Sequence, residues 1–342
     1  KLMTHIQSVE YMKTEWPLSW FDVKTELEKM KRSYINMEHY QNICRAKKVT
    51  DDSERNTLLE YLHNLGIILH FDRFDLQEYQ VLEPRWITEA VYKIINSKTL
   101  ADNRGYLEKE QLDHILHKEV FDKGTFQTTL KKNKYTVMEQ YYILCLMKEF
   151  QLCYSLDDNT VLVPDLLKVE MPPEVEKFVS GSPLSLVYRF EFLPPAVIPR
   201  FIVAMHADIS SPGYQWRSGV ILENKKFSTR ALVTADREAR EIRVLVTGEP
   251  SQRRDYMTLV RHQLDSILDS FQQIQATRWV PFPDKKQPGD IEMLVQYEEL
   301  LGYRRRGRDE YFSGVLDKIY SVSTLLEGIE SDDSPRSNFH ED

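Results

Sequence analysis

The chain has 342 residues, 42% hydrophobic and 29% charged, with a formal net charge of -8. That is the range of an ordinary soluble protein long enough for two cores, and the acidic balance speaks against a general polyanion binder. No apolar run approaches the roughly 20 residues that span a bilayer, and the three scattered cysteines, Cys44, Cys145 and Cys153, form neither a CxxC pair nor a disulfide framework, which implies a reducing, cytoplasmic setting.

In chain order, KLMTHIQSVEYM has no initiator Met and no signal-peptide core, so it reads as the interior of a longer chain, with a helical segment expected over residues 1–12. A second helix is expected over residues 19–30, where Trp20, Val23, Leu27 and Met30 share a face. Asn36 can cap a third helix carrying Met37, Tyr40 and Ile43. Asp51 followed by Glu54 resembles a capping box for a helix bearing Leu58, Leu62 and Leu65, which Gly66 ends.

The stretch LGIILHFDRFDLQEYQVLEPRWITEAVYKII, residues 65–95, is the most patterned part of the chain. Ile67, Ile68, Leu69 and Phe71 make one β-prone run, Val81 and Leu82 a second, and Pro84 opens a helix. On that helix Trp86, Ile87, Ala90, Val91, Ile94 and Ile95 recur at helical spacing, so one face must be buried. Further on, residues 106–116 read as an amphipathic helix and residues 135–150 as a long one rich in Tyr141, Tyr142, Ile143, Leu146 and Met147. Two short strands, residues 152–155 and 161–163, flank an Asp157-Asp158-Asn159 turn. A helix followed by a hairpin suggests a winged-helix-like unit, which binds nucleic acid only when its helix is basic; here the helix is apolar and the turn acidic.

Pro172-Pro173 and Ser180-Gly181-Ser182 mark a connection. Beyond it Leu184, Leu186, Tyr188, Phe190 and Phe192 alternate with Ser185, Val187, Arg189 and Glu191, giving a strand with one aromatic face. A short helix follows Pro194-Pro195. Strands over residues 216–222, 228–234 and 242–247 have links too short for crossover helices and so form an antiparallel meander. A helix over residues 253–274, with Met257, Val260, Leu264, Ile267, Leu268, Phe271 and Ile274 on one side, covers a face of that sheet. A strand over residues 293–301, a closing helix over residues 312–326 and a polar tail complete the chain. The fold class is α+β: residues 1–170 form a mostly helical subdomain with the hairpin, residues 171–183 a linker, residues 184–328 an antiparallel sheet covered by helices, and residues 329–342 the tail.

Catalytic signatures are thin. A phosphate-binding loop needs closely spaced glycines followed by Lys, and the chain has 12 glycines and no Gly-Lys dipeptide. Asp102-Asn103-Arg104-Gly105 fails as a calcium loop, because aligning Gly105 with the sharp turn puts Leu100 at the first ligand position. His114 and His117 could share a metal in principle but have no further clustered ligand. His206 and Asp208 with Ser210 and Ser211 lack a nucleophile elbow and read as a polar loop. No metal site or catalytic residue is therefore assigned. Arg304, Arg305, Arg306 and Arg308, broken by Gly307, are the sharpest basic cluster: an exposed turn, or a contact to an acidic partner surface or to phosphate.

The pair LGIILHF…VLEPRWITEAVYKII, together with LVYRFEF and WRSGVILEN, resembles the COR domain of Roco proteins of the bacterial type, over nearly the whole chain. The resemblance implies a helical N-terminal subdomain facing a Ras-like Roc GTPase domain and a mixed C-terminal subdomain that forms a homodimer. It implies a dimerisation and regulatory module that juxtaposes two Roc domains and couples their nucleotide cycle to the dimer, with no catalysis of its own. GTP or GDP and Mg would then belong to the adjoining Roc domain, and this chain would hold no cofactor. Tyr188, Phe190 and Trp20 are the candidates for the Roc-facing joint, although alternation equally makes Tyr188 a core residue. Leu294, Tyr297, Leu301 and Tyr303 are the candidates for the dimer interface. The competing reading is a nucleic-acid-binding protein of winged-helix type that uses Arg304, Arg305 and Arg306.

Overall fold

The structure, a computed structural model, describes residues 17–72, 76–118, 135–179, 183–271, 274–283, 292–326 and 329. The expected helix over residues 1–12 and the tail beyond Ile329 lie outside them. The fold is α+β, with antiparallel sheets throughout. The chain divides into two compact units, Lys1–Thr99 with Glu110–Phe150, and Leu100–Lys109 with Gln151–Asp342.

The first unit begins with α1 (Leu18–Lys29), which buries Val23 and Leu27. After β1 (Tyr34–Asn36) the Asn36 side chain accepts the His39 N–H at 2.9 Å and caps α2 (Met37–Ala46) as its position predicts. Asp51 caps α3 (Asp52–Asn64) in the same way, and Gly66, at φ +69°, follows its end. Val23, Leu27, Ile35, Tyr40, Ile43, Leu58, Leu62 and Ile68 form one buried cluster.

Here the β-prone run at residues 67–71 does not become a full strand. Ile67 and Ile68 follow the turn, and the run contributes one isolated bridge, Leu69 to Val81; the strand partner of β2 (Tyr79–Val81) is β1. Local β propensity does not say how much of an apolar run will find a ladder partner. Pro84 opens α4 (Pro84–Ile95), which buries Trp86, Ile87, Ala90 and Ile94 as its spacing requires. A short α5 (Lys98–Asp102) spans the passage to the second unit.

The expected helix over residues 106–116 is two elements: β3 (Tyr106–Glu108), and α6 (Gln111–His117) back in the first unit. A capping box between Thr136 and Glu139 starts α7 (Val137–Glu149), which buries Tyr142, Ile143, Leu144, Cys145, Leu146 and Met147.

In the second unit, β4 (Tyr154–Ser155) and β5 (Thr160–Leu162) join through the predicted turn, where Asp157 Oδ1 accepts the N–H groups of Asn159 and Thr160. β3 pairs on the other side of β5. Gly105 permits this: at φ +87° it brings its backbone against Val163, and a Cβ there would lie 2.5 Å from the Val163 oxygen. The helix and hairpin that suggest a wing thus fall in different units.

The stretch read as a connection carries α8 (Glu174–Val179). Then β6 (Leu184–Phe190), α9 (Val197–Ala204), β7 (Gln215–Trp216), β8 (Gly219–Asn224), β9 (Thr229–Asp236), β10 (Glu241–Thr247), α10 (Pro250–Asp269), β11 (Ala276–Pro281) and β12 (Leu294–Gln296) build a seven-stranded antiparallel sheet, order β12-β11-β6-β10-β9-β8-β7. Residues 216–222 are a tight hairpin, β7 to β8, rather than one strand. One sheet face packs on α9 and α10, joining Leu186, Tyr188, Val220, Val233 and Val244 to Tyr256, Met257, Val260 and Leu264. The other buries Trp216, Ile221, Leu232 and Leu245 with Val175 and Phe178 of α8. Both faces are therefore covered, and Val187 on the "polar" side of β6 is as buried as Leu186.

The C-terminal expectations also change. Residues 293–301 are the short β12 followed by α11 (Tyr297–Arg305), and residues 312–326 are a hairpin, β13 (Glu310–Ser313) with β14 (Lys318–Ser321), then α12 (Val322–Leu326). Leu325 and Leu326 fit helical spacing, but Phe312 and Ile319 face each other across a ladder, a pairing that mimics a helical repeat in one dimension.

Candidate interaction surfaces

Tyr188 lies mid-strand in β6, between β10 and β11, opposite Ile242 and Arg278. It is 1% exposed, and its ring stacks near Phe190, which is also buried. The hydroxyl donates to Asp265 Oδ1 of α10 at 2.9 Å. Asp265 Oδ2 accepts from Arg278 of β11 at 3.3 Å, and the Arg278 Nε donates to Glu298 of α11 at 2.8 Å. Arg261 of α10 donates to the Tyr297 hydroxyl at 2.6 Å, and the Arg278 guanidinium lies 4.9 Å from the Tyr297 ring centroid.

One polar chain thus ties β6, α10, β11 and α11 together. Burial raises the Asp265 carboxyl above its ordinary range against the opposing pull of the Tyr188 bond and of Arg278 and Arg261. Burial, reinforced by Asp265, pushes the Tyr188 hydroxyl far up, so it remains a donor. Sequence reasoning finds Tyr188 by alternation but misses Asp265 and Arg278, which are separated from it by 77 and 90 positions and carry no local signal.

Trp20, in the first unit, donates Nε1–H to Glu54 at 2.8 Å and meets Tyr61 edge-on at 5.7 Å. It is half-buried, while Leu18 and Phe21 beside it on α1 are exposed.

Of the four residues singled out for a dimer interface, Tyr297 is 1% exposed and belongs to the chain's own core. Leu294, Leu301 and Tyr303 are half-buried, and Leu301 and Tyr303 pack on that core. The bare apolar surface is next door, on the β13–β14 hairpin. Tyr311 and Tyr320, cross-strand partners, turn inward onto Phe282, with ring centroids 6.2 and 4.5 Å away, and Tyr311 also meets Tyr303. Phe312 and Ile319, the next pair, point the opposite way and are 59% and 65% exposed; Val315 at the tip is 77% exposed. An alternation apolar on both faces is the signal that could have found this patch.

Arg304 and Arg305 occupy the last turn of α11 and Arg306 its C-cap, where cations favour the helix dipole. Gly307, at φ +66°, ends the helix. Arg305 and Arg306 are exposed. His117 has a structural tie: its Nε2 accepts the Tyr135 N–H at 2.8 Å, which leaves Nδ1 to donate to Asp113 at 2.9 Å. Asp208 accepts from Tyr256 at 2.7 Å and Asn224 at 3.0 Å, holding the polar loop to the sheet. Among the described residues no group of three or more His, Cys, Asp or Glu side chains is arranged to hold a metal ion, and no helix is long and apolar enough to cross a membrane.

Two family models match consecutive parts of the chain: the COR-A domain, C-terminal of Roc, over residues 17–167, and the COR-B domain, C-terminal of Roc, over residues 181–328. The chain is a COR domain of the Roco family. The compact units cut this COR domain slightly differently, because β3 and the β4–β5 hairpin lie within the COR-A match while Tyr154, Leu162 and Leu167 join the core of the second unit.

Curated relatives agree. A Roc-COR-CHAT protease of Runella zeae is 25% identical over 232 residues, covering 66% of this chain and 23% of that protein. The probable serine/threonine-protein kinases qkgA and pats1 of Dictyostelium discoideum are each 25% identical, over 57% and 66% of this chain and 13% and 7% of their own length. The COR chain therefore spans less than a quarter of these relatives. A solved structure of Methanosarcina barkeri Roco2 RocCORdC bound to GDP is 47% identical over 48% of this chain and 49% of that one, with a TM-score of 0.44.

Proposed function

We propose that this COR domain is a non-catalytic dimerisation and regulatory module of a Roco GTPase, one that brings two Roc domains together and couples their nucleotide cycle to the state of the dimer. The observation that carries the reading is the outward face of the β13–β14 hairpin, where Phe312, Val315 and Ile319 stand exposed while the opposite face anchors the hairpin through Tyr311 and Tyr320. A hairpin held rigidly from behind presents an apolar face without an ordering cost, which suits an interface centre. Three side chains are a centre and not a whole interface of roughly 800 Å² per partner, so the half-buried Leu294, Leu301 and Tyr303 are proposed to complete it.

The Roc-facing candidates in this reading are taken unit by unit: β6 in the second unit and, separately, α1 in the first. Tyr188 acts from inside by fixing β6 through Asp265 and Arg278, with Phe190 stacked beside it and Phe192 exposed just past the strand, while Trp20 is the candidate on α1 of the first unit. GTP or GDP with Mg would sit in the Roc domain.

Light scattering of the chain at high micromolar concentration tests the core of the proposal. A dimer that Phe312→Ser with Ile319→Ser dissociates is expected; a strictly monomeric chain counts heavily against it. Comparing the oligomeric state of a longer Roc-containing chain with GDP and with a GTP analogue then tests the coupling.

A further inference from the structure

The first unit contains a cleft of about 610 Å³ that none of the roles above uses, within the ~300–1,000 Å³ range of clefts that take ligands. Arg32, Ser33, Tyr34, Ile35 and Asn36, which make up β1 and its approach, line it in unbroken succession. Successive side chains of a strand point to opposite faces, so a cleft that touches all of them runs along the backbone edge of β1.

The pairing with β2 fixes which backbone groups that edge presents. β1 and β2 are antiparallel, with Tyr34 opposite Val81 and Asn36 opposite Tyr79. The Leu82 N–H donates to the Ser33 oxygen and the Met37 N–H to the Glu78 oxygen, both at 2.9 Å, so residues 33, 35 and 37 turn their polar groups to β2. The residues between them turn theirs the other way. Val81 keeps the same phase, its N–H and oxygen both bonding Leu69 on the far side of β2 at 3.0 and 2.7 Å. The Tyr34 N–H, the Tyr34 oxygen and the Asn36 N–H therefore lie on the open edge, and among the described residues none of the three has a hydrogen-bond partner.

A donor, an acceptor and a second donor at strand spacing are complementary to another extended backbone. Side-chain charge selects little in this cleft: Glu78 and Arg32 are both exposed and of opposite sign, and Glu139 is already bonded by the Thr136 N–H. We propose that the cleft takes an extended segment of another protein chain, added as a strand to the open edge of β1 through these three main-chain groups. A β-branched side chain fits best opposite the half-buried Tyr34. A second copy's β1 fits poorly. Trp86, Glu139 and His39 line the same cleft, and two edges sunk in such clefts cannot close to the about 4.8 Å that separates paired strands. The inference concerns the first unit alone and does not depend on the dimer reading.

The test uses the whole chain with nitrogen-labelled tyrosine for magnetic resonance, the Tyr34 amide signal assigned by its loss in Tyr34→Phe, and titration with acetyl-Lys-Thr-Val-Thr-Lys-amide. The peptide is expected to move the Tyr34 amide proton downfield, saturably and in the millimolar range. Two N-methylated forms separate main-chain pairing from side-chain contact. A methyl on the valine nitrogen, which faces Tyr34, should abolish binding, while one on the following threonine nitrogen, which points away from β1, should be tolerated within about twofold. Asn36→Pro removes the third donor at a φ of -82°, which proline accommodates, and should weaken binding about fivefold. It also removes the α2 cap, so the paired variant is Asn36→Ala, which loses the cap, keeps the N–H and should bind as wild type. Equal effects of the two methyl groups, equal affinity of the proline and alanine variants, or no saturable shift overturns the proposal. So does a Tyr34 shift that grows with protein concentration in the absence of peptide, which would make this edge a contact between copies.

Discussion

Replacing Tyr188 separates a residue that holds the second unit together from one that merely decorates a surface. Tyr188→Phe keeps the ring in a core where it is 1% exposed and removes only the hydroxyl that donates to Asp265. A hydrogen bond to a charged group contributes about 1.5–3 kcal/mol. Asp265 keeps its Arg278 partner in the variant, so the lower end is expected, about 1.5 kcal/mol. Tyr188→Cys removes the ring as well. By analogy with large aromatic truncations it should cost about 3–5 kcal/mol, because the strands on either side and α10 beneath cannot collapse onto the space. Urea unfolding of the isolated chain, followed by the circular dichroism of the sheet, measures both through the shift in midpoint at constant slope. If Tyr188→Cys unfolds at the wild-type midpoint, the buried network does not stabilise the unit and the residue's role must be sought at its surface alone. With a Roc-containing chain in parallel, any loss of Roc contact beyond this stability change is the part that belongs to the proposed joint.

Other outcomes follow from the same geometry. Phe312→Ser with Ile319→Ser should change the unfolding free energy by less than about 1 kcal/mol, since both side chains are largely exposed, while shifting the sedimentation coefficient to that of a monomer; a variant that sediments as wild type removes the hairpin from the interface. Asp265 has a raised pKa in the folded chain, so the folded state holds more protons than the unfolded one between the ordinary carboxyl value and the raised one. Its contribution to stability therefore falls as pH rises through that window, and Asp265→Asn should flatten that part of the stability profile; an unchanged profile would falsify the assignment. Gly219→Ala should be strongly destabilising, by about 2 kcal/mol or more, because a Cβ there meets the Trp216 ring and the Val233 carbonyl oxygen. Thermal melting of that variant at or above the wild-type midpoint would mean that the β7–β8 turn relaxes freely.

The sequence by itself determined whatever depends on neighbours along the chain. Asn36 and Asp51 cap because a short polar side chain reaches the N–H three residues on. Pro84 opens a helix because its missing N–H needs no partner there. Asp157 turns the hairpin, the α10 stripe buries one side of its helix, and the ordered apolar pattern identifies the COR family.

Tertiary structure decided the cases in which two local solutions cost nearly the same. Tyr34 and Leu69 both pair with Val81, but only Tyr34 does so within a ladder, and the β propensity of the two runs does not tell which. Residues 312–326 read as a helix because Phe312, Val315, Ile319 and Val322 happen to repeat at spacings near 3.6, yet the inward pull of Tyr311 and Tyr320 on Phe282 favours a hairpin. The candidate site divides the same way. Tyr188 is legible from its alternation, whereas Asp265 and Arg278, and likewise the meeting of Tyr34, Trp86 and Glu139 at one cleft, join residues dozens of positions apart. Such meetings are fixed by the packing of whole elements, and a linear pattern carries no trace of that distance.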